Sequence, residues 1–176
     1  MAWISLVIGS RCYIAATIFL AIIMLLPNQW SITQALKTDL ISKTFIWKPF
    51  SAAIVSQNAS DLDIVVVIDK NGKVWNRAYL PIQINSTSND STLLNLDYDA
   101  ISHVGNATFL SEVRDNSSSK VLWSSWLNST NGQSSNQTFT VPKNILNKPV
   151  EFRFYIVTVA PGEHELHVKR AILITP

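Results

Sequence analysis

The feature that most constrains this chain is a two-residue rhythm of apolar and polar side chains, interrupted by turn residues. In residues 150–156 Val150, Phe152, Phe154 and Ile156 fall on one face of an extended strand, while Glu151 and Arg153 fall on the other. That pattern buries one face of a strand and leaves the other polar, and it does not suit the 3.6-residue period of a helix. Further strands are expected at 44–50 (TFIWKPF), 52–56 (AAIVS), 63–69 (DIVVVID), 74–82 (VWNRAYLPI), 107–113 (ATFLSEV), 121–127 (VLWSSWL), 138–141 (TFTV) and 164–174 (HELHVKRAILI). Two hairpins are expected. Asn71-Gly72 supplies positive-φ residues for a tight turn between 63–69 and 74–82, and Ala160-Pro161-Gly162-Glu163 separates the last two strands. No amphipathic helix interrupts this series, so the chain from Leu36 to Pro176 reads as an all-β, antiparallel β-sandwich, with a β-barrel as the alternative.

The N-terminal stretch follows another rule. Tyr13 to Leu26 (YIAATIFLAIIMLL) contains no charge, with Arg11 before it and Pro27 after it. Fourteen apolar residues match a signal-peptide core, whereas Cys12 to Trp30 is long enough to cross a bilayer, which takes about 20 residues. Residues 1–35 are therefore expected to be a signal-anchor with one N-terminal transmembrane helix over residues 12–30, and 36–176 an extracytoplasmic domain. The expected location is the cell membrane, single-pass with the C-terminal domain outside; cleavage after Ala35 would make the protein secreted.

Orientation rests on glycosylation triplets. Asn58, Asn85, Asn89, Asn106, Asn116, Asn128 and Asn136 each begin an Asn-x-Ser/Thr sequon. Chance placement in this Asn- and Ser/Thr-rich region predicts roughly three. Such triplets acquire a sugar only on a translocated surface, so the domain reads as a glycoprotein facing outward. Cys12 is the single cysteine and lies at the edge of the apolar segment, leaving 36–176 without a disulfide. Small secreted eukaryotic domains are commonly disulfide-stapled, so a cysteine-free exported domain fits a prokaryotic, in particular archaeal, envelope protein. The net charge of +2 falls to +1 once Arg11 is set aside, too little to follow a run of phosphates, and nucleic acid is not an expected partner.

The leader, the run SQNASDLDIVVVIDKNGKVW, Trp123 with Trp126, and the closing PGEHELHVKRAILI resemble immunoglobulin-like domains of archaeal and bacterial cell-surface proteins. The resemblance implies a binding or scaffolding module without a catalytic centre. The function it supports is a membrane-tethered protein-interaction or structural module: an accessory subunit of a membrane complex, or an envelope or surface-layer component, with protein partners near the same membrane and homo-oligomers as an option. A type IV pilin-like filament subunit is an alternative, from the short leader followed at once by an apolar helix.

Candidate chemistry is sparse. His164 and His167 are the only pair that invites a transition-metal assignment, and they underlie a second alternative, a copper-binding accessory subunit; Asp97 and Asp99, with Asp90 or Asp115, could form a calcium site but lack the glycine and distal glutamate of a calcium loop. Residues three apart on a strand point to opposite faces, placing His164 with Leu166 and Val168 and His167 with Glu165 and Lys169. No metal, cofactor or catalytic residue is therefore assigned. The aromatics Trp47, Trp75, Trp123 and Trp126, with Tyr79 and Tyr98, form either a core or a sugar- or peptide-stacking platform. Trp123 and Trp126 are also three apart, so one should enter the core and the other face outward as a partner contact.

Overall fold

In a computed structural model the described residues are 35–58, 60–68, 75–87 and 90–176. The apolar segment 12–30, the boundary at 35, the pilin-like reading, the Asn71-Gly72 turn and the sequon at Asn89 lie outside them. Among the described residues no helix is long and apolar enough to cross a membrane.

The described residues from Ala35 to Pro176 form one unit of eleven antiparallel strands. One layer, sheet A, has the order β3 (Ala53–Gln57), β4 (Leu62–Ile68), β11 (Gly162–Thr175), β6 (Thr92–Ser102), β9 (Ser135–Val141), with β1 (Leu36–Asp39) added alongside β11. The other, sheet B, has the order β2 (Lys48–Phe50), β5 (Trp75–Gln83), β10 (Pro149–Thr158), β7 (Ala107–Asp115), β8 (Val121–Leu127). This is the expected β-sandwich. Its core is continuous between the layers: Ile64, Leu94, Leu96, Tyr98, Leu166 and Leu173 from sheet A meet Ala78, Phe109, Val113, Phe152, Phe154 and Ile156 from sheet B. Trp47 stacks on Phe154 with centroids 5.0 Å apart and donates its indole N–H to the Leu40 carbonyl at 2.8 Å, so its polar atom is satisfied inside the core.

Neither expected hairpin forms. β4 pairs with β3 and β11 while β5 pairs with β2 and β10, and β10 pairs with β5 and β7 while β11 pairs with β4, β6 and β1. The strands on the two sides of each expected turn belong to different layers. Turn residues specify that the chain reverses but not which edge it joins, and both arms of each turn have an apolar face that can close on the core from opposite sides. Gly162, at φ +138°, has its Cα so near Val104 that a Cβ would lie 2.8 Å from the Val104 carbonyl oxygen, so the last crossover requires glycine.

Two other departures have physical causes. The expected strand 44–50 shortens to Lys48–Phe50, because the side chain of Gln57 takes over the backbone before it. Gln57 Nε2 reaches the carbonyls of Ile41, Ser42 and Phe45 at 2.9–3.2 Å, and its Oε1 accepts from the Trp47 amide at 3.3 Å. β6 was not expected as a strand, yet it pairs with β11 along most of its length. Every second residue from Leu94 to Ala100 is apolar and buried (Leu94, Leu96, Tyr98 and Ala100), although Asn and Asp between them are poor strand formers. Within β11 a bulge between Val168 and Arg170 shifts the buried phase from His164, Leu166 and Val168 to Ala171, Leu173 and Thr175.

Candidate functional site

The outer face of sheet B gathers the polar and aromatic side chains that the core cannot use. Alternation along β5 turns Trp75, Arg77 and Tyr79 outward while Asn76, Ala78 and Leu80 are buried; β10 turns Glu151, Arg153 and Tyr155 outward, and β7 turns Leu110, Glu112 and Arg114 outward. The register then assembles rows across the strands. Phe50, Arg77, Tyr155, Leu110 and Trp126 stand opposite one another in sequence from β2 to β8, and Lys48, Tyr79, Arg153, Glu112 and Ser124 form the next row. Five strands at the usual spacing of about 4.8 Å make such a row about 19 Å long.

Within these rows the acids are already committed. Glu112 is buried and accepts from Arg114 Nε at 2.5 Å and from the Tyr155 hydroxyl at 3.0 Å. Arg153 donates through Nε to Glu151 at 2.7 Å and through Nη1 to the Tyr155 hydroxyl oxygen at 3.0 Å. Burial by itself would destabilise the Arg153 cation, but Tyr155 and Glu151 outweigh that cost and keep the guanidinium charged. A network satisfied in this way is rigid, and it forms the floor of the site.

Arg77 is different. Its guanidinium carbon lies 3.7 Å from the Phe50 ring centroid, 5.7 Å from Tyr155 and 5.9 Å from Tyr79, all within cation–π range. It has no acidic partner among the described residues, and its buried Nε has no hydrogen-bond acceptor. Trp75 stands edge-on to Tyr155 at 5.6 Å and is 49% exposed; Phe50, at one end of the row, is 48% exposed and Trp126, at the other, 60%. Trp75, Arg77, Arg114, Arg153 and Tyr155 line an open groove of about 250 Å³. The arrangement offers apolar ring faces for stacking and guanidinium donors for hydrogen bonding.

The other sequence-predicted residues are placed as follows. Trp123 turns inward and meets Phe139 edge-on at 5.6 Å, while Trp126 turns outward, so the parity of this pair splits between core and surface. Trp47 and Tyr98 are core, whereas Trp75 and Tyr79 join the sheet B face. His164 is fully buried, with Nδ1 2.9 Å from the Ser102 hydroxyl, and His167 lies on the outer face of sheet A between Asp63 and Glu165. The structure does not bring these two histidines together, and among the described residues no group of His, Cys, Asp and Glu is arranged to hold a metal ion. Asn58, Asn85, Asn106, Asn116, Asn128 and Asn136 are exposed. Asn136 lies within β9. None of the six described sequon asparagines falls within a strand of sheet B.

Sequence reading did not single out Arg77, Arg114, Arg153, Tyr155, Glu112 or Phe50. The available signal was the repeated pairing of a charged residue with a second polar or aromatic one two positions on: Arg77 and Tyr79, Glu112 and Arg114, Arg153 and Tyr155.

No family model matches this chain, and no curated protein matches it in sequence. Solved structures do share the fold. A xylan-binding module aligns with a TM-score of 0.56 at 9% identity, over 80% of this chain and 97% of the module. A structure described as "CBM4 structure and function" aligns at 0.50 and 13% identity, over 79% of this chain and 94% of that one. An agarase aligns at 0.55 and 14% identity over 81% of this chain, which spans only 25% of the agarase. At these identities the likeness establishes a β-sandwich and nothing finer. The immunoglobulin-like and surface-protein resemblance gains no support from these neighbours.

Proposed function

We propose that this chain is a non-catalytic carbohydrate-binding module, displayed outside the cell, that takes its ligand on the outer face of sheet B. The observation that carries the reading is the row from Phe50 to Trp126, with Trp75 beside it. It places exposed aromatic rings at both ends of a row that crosses the open groove, beside a satisfied arginine–glutamate–tyrosine network. Ring faces pack against the apolar C–H faces of sugars, and fixed hydrogen-bonding groups between them select hydroxyl or anionic substituents. The fold shared with a xylan-binding module is consistent with this use.

Catalysis fits the same face poorly. Hydrolysis of a glycoside takes two carboxylates, one of which must give up a proton. Glu112 and Glu151 are both occupied by guanidinium donors. The placement of the sequons agrees with a binding role, since glycans at Asn58, Asn85, Asn106, Asn116, Asn128 or Asn136 would leave the strands of sheet B open. The apolar segment at 12–30 would hold such a module at the outer surface of the cell membrane. A protein partner is the second reading, and Trp126, exposed at the edge strand β8, is the residue that favours it.

Affinity electrophoresis of the full chain against a panel of soluble polysaccharides tests the proposal. Retardation by at least one polysaccharide is expected, and Trp75→Ala should weaken it about tenfold, the size of one lost aromatic contact. Migration unaffected by every polysaccharide would overturn the carbohydrate reading.

A further inference from the structure

We infer that the ligand of this face is an anionic polysaccharide, laid across the strands along the Phe50–Arg77–Tyr155–Leu110–Trp126 row, with its carboxylate or sulfate group on Arg77. This rests on the carbohydrate reading and goes further by naming the class of sugar.

The starting point is the unequal treatment of the cations on the face. Arg114 and Arg153 are each matched to a glutamate, at 2.5 and 2.7 Å. Arg77 and Lys48 have no such partner among the described residues, which leaves the outward side chains of these strands, Lys48, Arg77, Arg114 and Arg153 against Glu112 and Glu151, with an excess of positive charge. Lys48 is exposed and keeps its hydration. Arg77 is held differently: Phe50 covers one face of its guanidinium at 3.7 Å and its Nε is buried with no acceptor among the described residues, while the side chain lines the open groove.

A guanidinium carries five N–H donors and no acceptor, so only a group rich in lone pairs completes it. A neutral sugar hydroxyl would occupy one donor and leave the charge uncompensated. A carboxylate or sulfate supplies two oxygens to the planar fork and neutralises the excess, through bonds roughly twice as strong as neutral ones. The rings of Phe50, Tyr79 and Tyr155 lie within cation–π range of the guanidinium, and such apolar neighbours strengthen a charge pairing made beside them. Because Phe50 and Trp126 flank the row at its two ends, a chain anchored on Arg77 has an aromatic platform in either direction across the sheet.

The test is affinity electrophoresis of the full chain in gels containing polygalacturonate, dextran sulfate, neutral xylan or, as a peptide control, polyglutamate. The expected result is retardation by one or both anionic polysaccharides, weaker with xylan and weakening as salt is added. Retardation by polygalacturonate alone assigns a carboxylate, and by dextran sulfate alone a sulfate ester; either supports the inference. Arg77→Gln should lower affinity for the anionic polymer about tenfold or more, whereas Arg77→Lys, which keeps the charge and loses the fork, should fall between. Near-UV circular dichroism checks that the variants keep the native packing. Should Arg77→Gln fail to fold, Phe50→Ala removes the ring over the guanidinium and should weaken binding to the anionic polymers more than to xylan. Xylan bound as well as the anionic polymers, with Arg77→Gln unaffected and Trp75→Ala impaired, would overturn the inference and leave the carbohydrate reading standing. Retardation by polyglutamate alone would transfer Arg77 to an acidic peptide and overturn both, as would the absence of any retardation.

Discussion

The two outer faces of this sandwich are built from the same alternating strands and both carry polar side chains, yet they end in opposite states. On sheet A, His103, Glu165, His167 and Asp63 form a continuous ladder, with contacts of 2.7, 2.5 and 2.8 Å, in which each group finds its complement on a neighbouring strand or residue. On sheet B the acids Glu112 and Glu151 are consumed by Arg114 and Arg153, and Arg77 is left beside aromatic rings with no acidic partner among the described residues. A face whose polar groups satisfy one another has little to gain from a ligand. A face that holds an unmatched cation beside exposed rings gains more.

Glu112→Ala should have the largest effect, because it strips Arg114 and Tyr155 of a shared, buried acceptor and Arg153 of an opposite charge 3.9 Å away. A loss of about 3 kcal/mol in urea unfolding is expected, together with loss of polysaccharide binding. A loss under about 0.5 kcal/mol would mean that these side chains at the floor of the groove do not act as a coupled network.

The ladder on sheet A should show itself through pH and not through ligand. Burial by itself would lower the His167 pKa, but Asp63 and Glu165 outweigh it and raise the value above the ordinary 6.5. A raised value in the folded state stabilises fully below about 6.5, and this contribution disappears as pH rises through the folded-state pKa. Burial by itself would likewise raise Glu165, yet His103 and His167 bring it below its ordinary 4.5, so its contribution is present above that value and lost as pH falls through the folded one. The two overlap between 4.5 and 6.5, where the ladder contributes most. The melting temperature should therefore decline as pH rises above 6.5, and His167→Gln should flatten that decline by about a degree or two at most, since the pair is partly solvated. An unchanged slope in the variant would show that His167 is not the titrating member.

Ile54→Thr, on the exposed outer face of sheet A, should matter least. A stability change within about 0.5 kcal/mol and unaltered polysaccharide affinity are expected. A loss of binding there would move the ligand to sheet A and contradict its assignment to sheet B.

Much of the scaffold was legible in the sequence, and the reason is local. Val150 to Ile156 alternate strictly, and the three-residue separations of Trp123 from Trp126 and His164 from His167 already assign members of each pair to opposite faces. Pairing was not legible. Asn71-Gly72 and Pro161-Gly162 announce reversals, but whether the returning strand joins its neighbour or the opposite layer depends on cores contributed by distant segments. β6 went unseen because Leu-Asn-Leu-Asp lacks the β-branched residues that mark a strand, although its alternation was present. The groove was hidden for a further reason. Arg77, Glu112 and Arg153 lie singly on three strands, and only the register that sets Arg77 against Tyr155 and Arg153 against Glu112 makes them one site.

The central claim, that sheet B and not sheet A presents the binding face, is tested most directly by titrating the isotope-labelled full chain with an oligogalacturonate or a sulfated oligosaccharide and following amide and indole resonances by NMR. The account predicts shifts concentrated at Trp75, Arg77, Tyr79, Arg153, Tyr155 and the Trp126 indole, with Val65, Ile101, Glu165 and His167 silent. Shifts centred on that second set, with the Trp75 and Trp126 indoles unmoved, would contradict it.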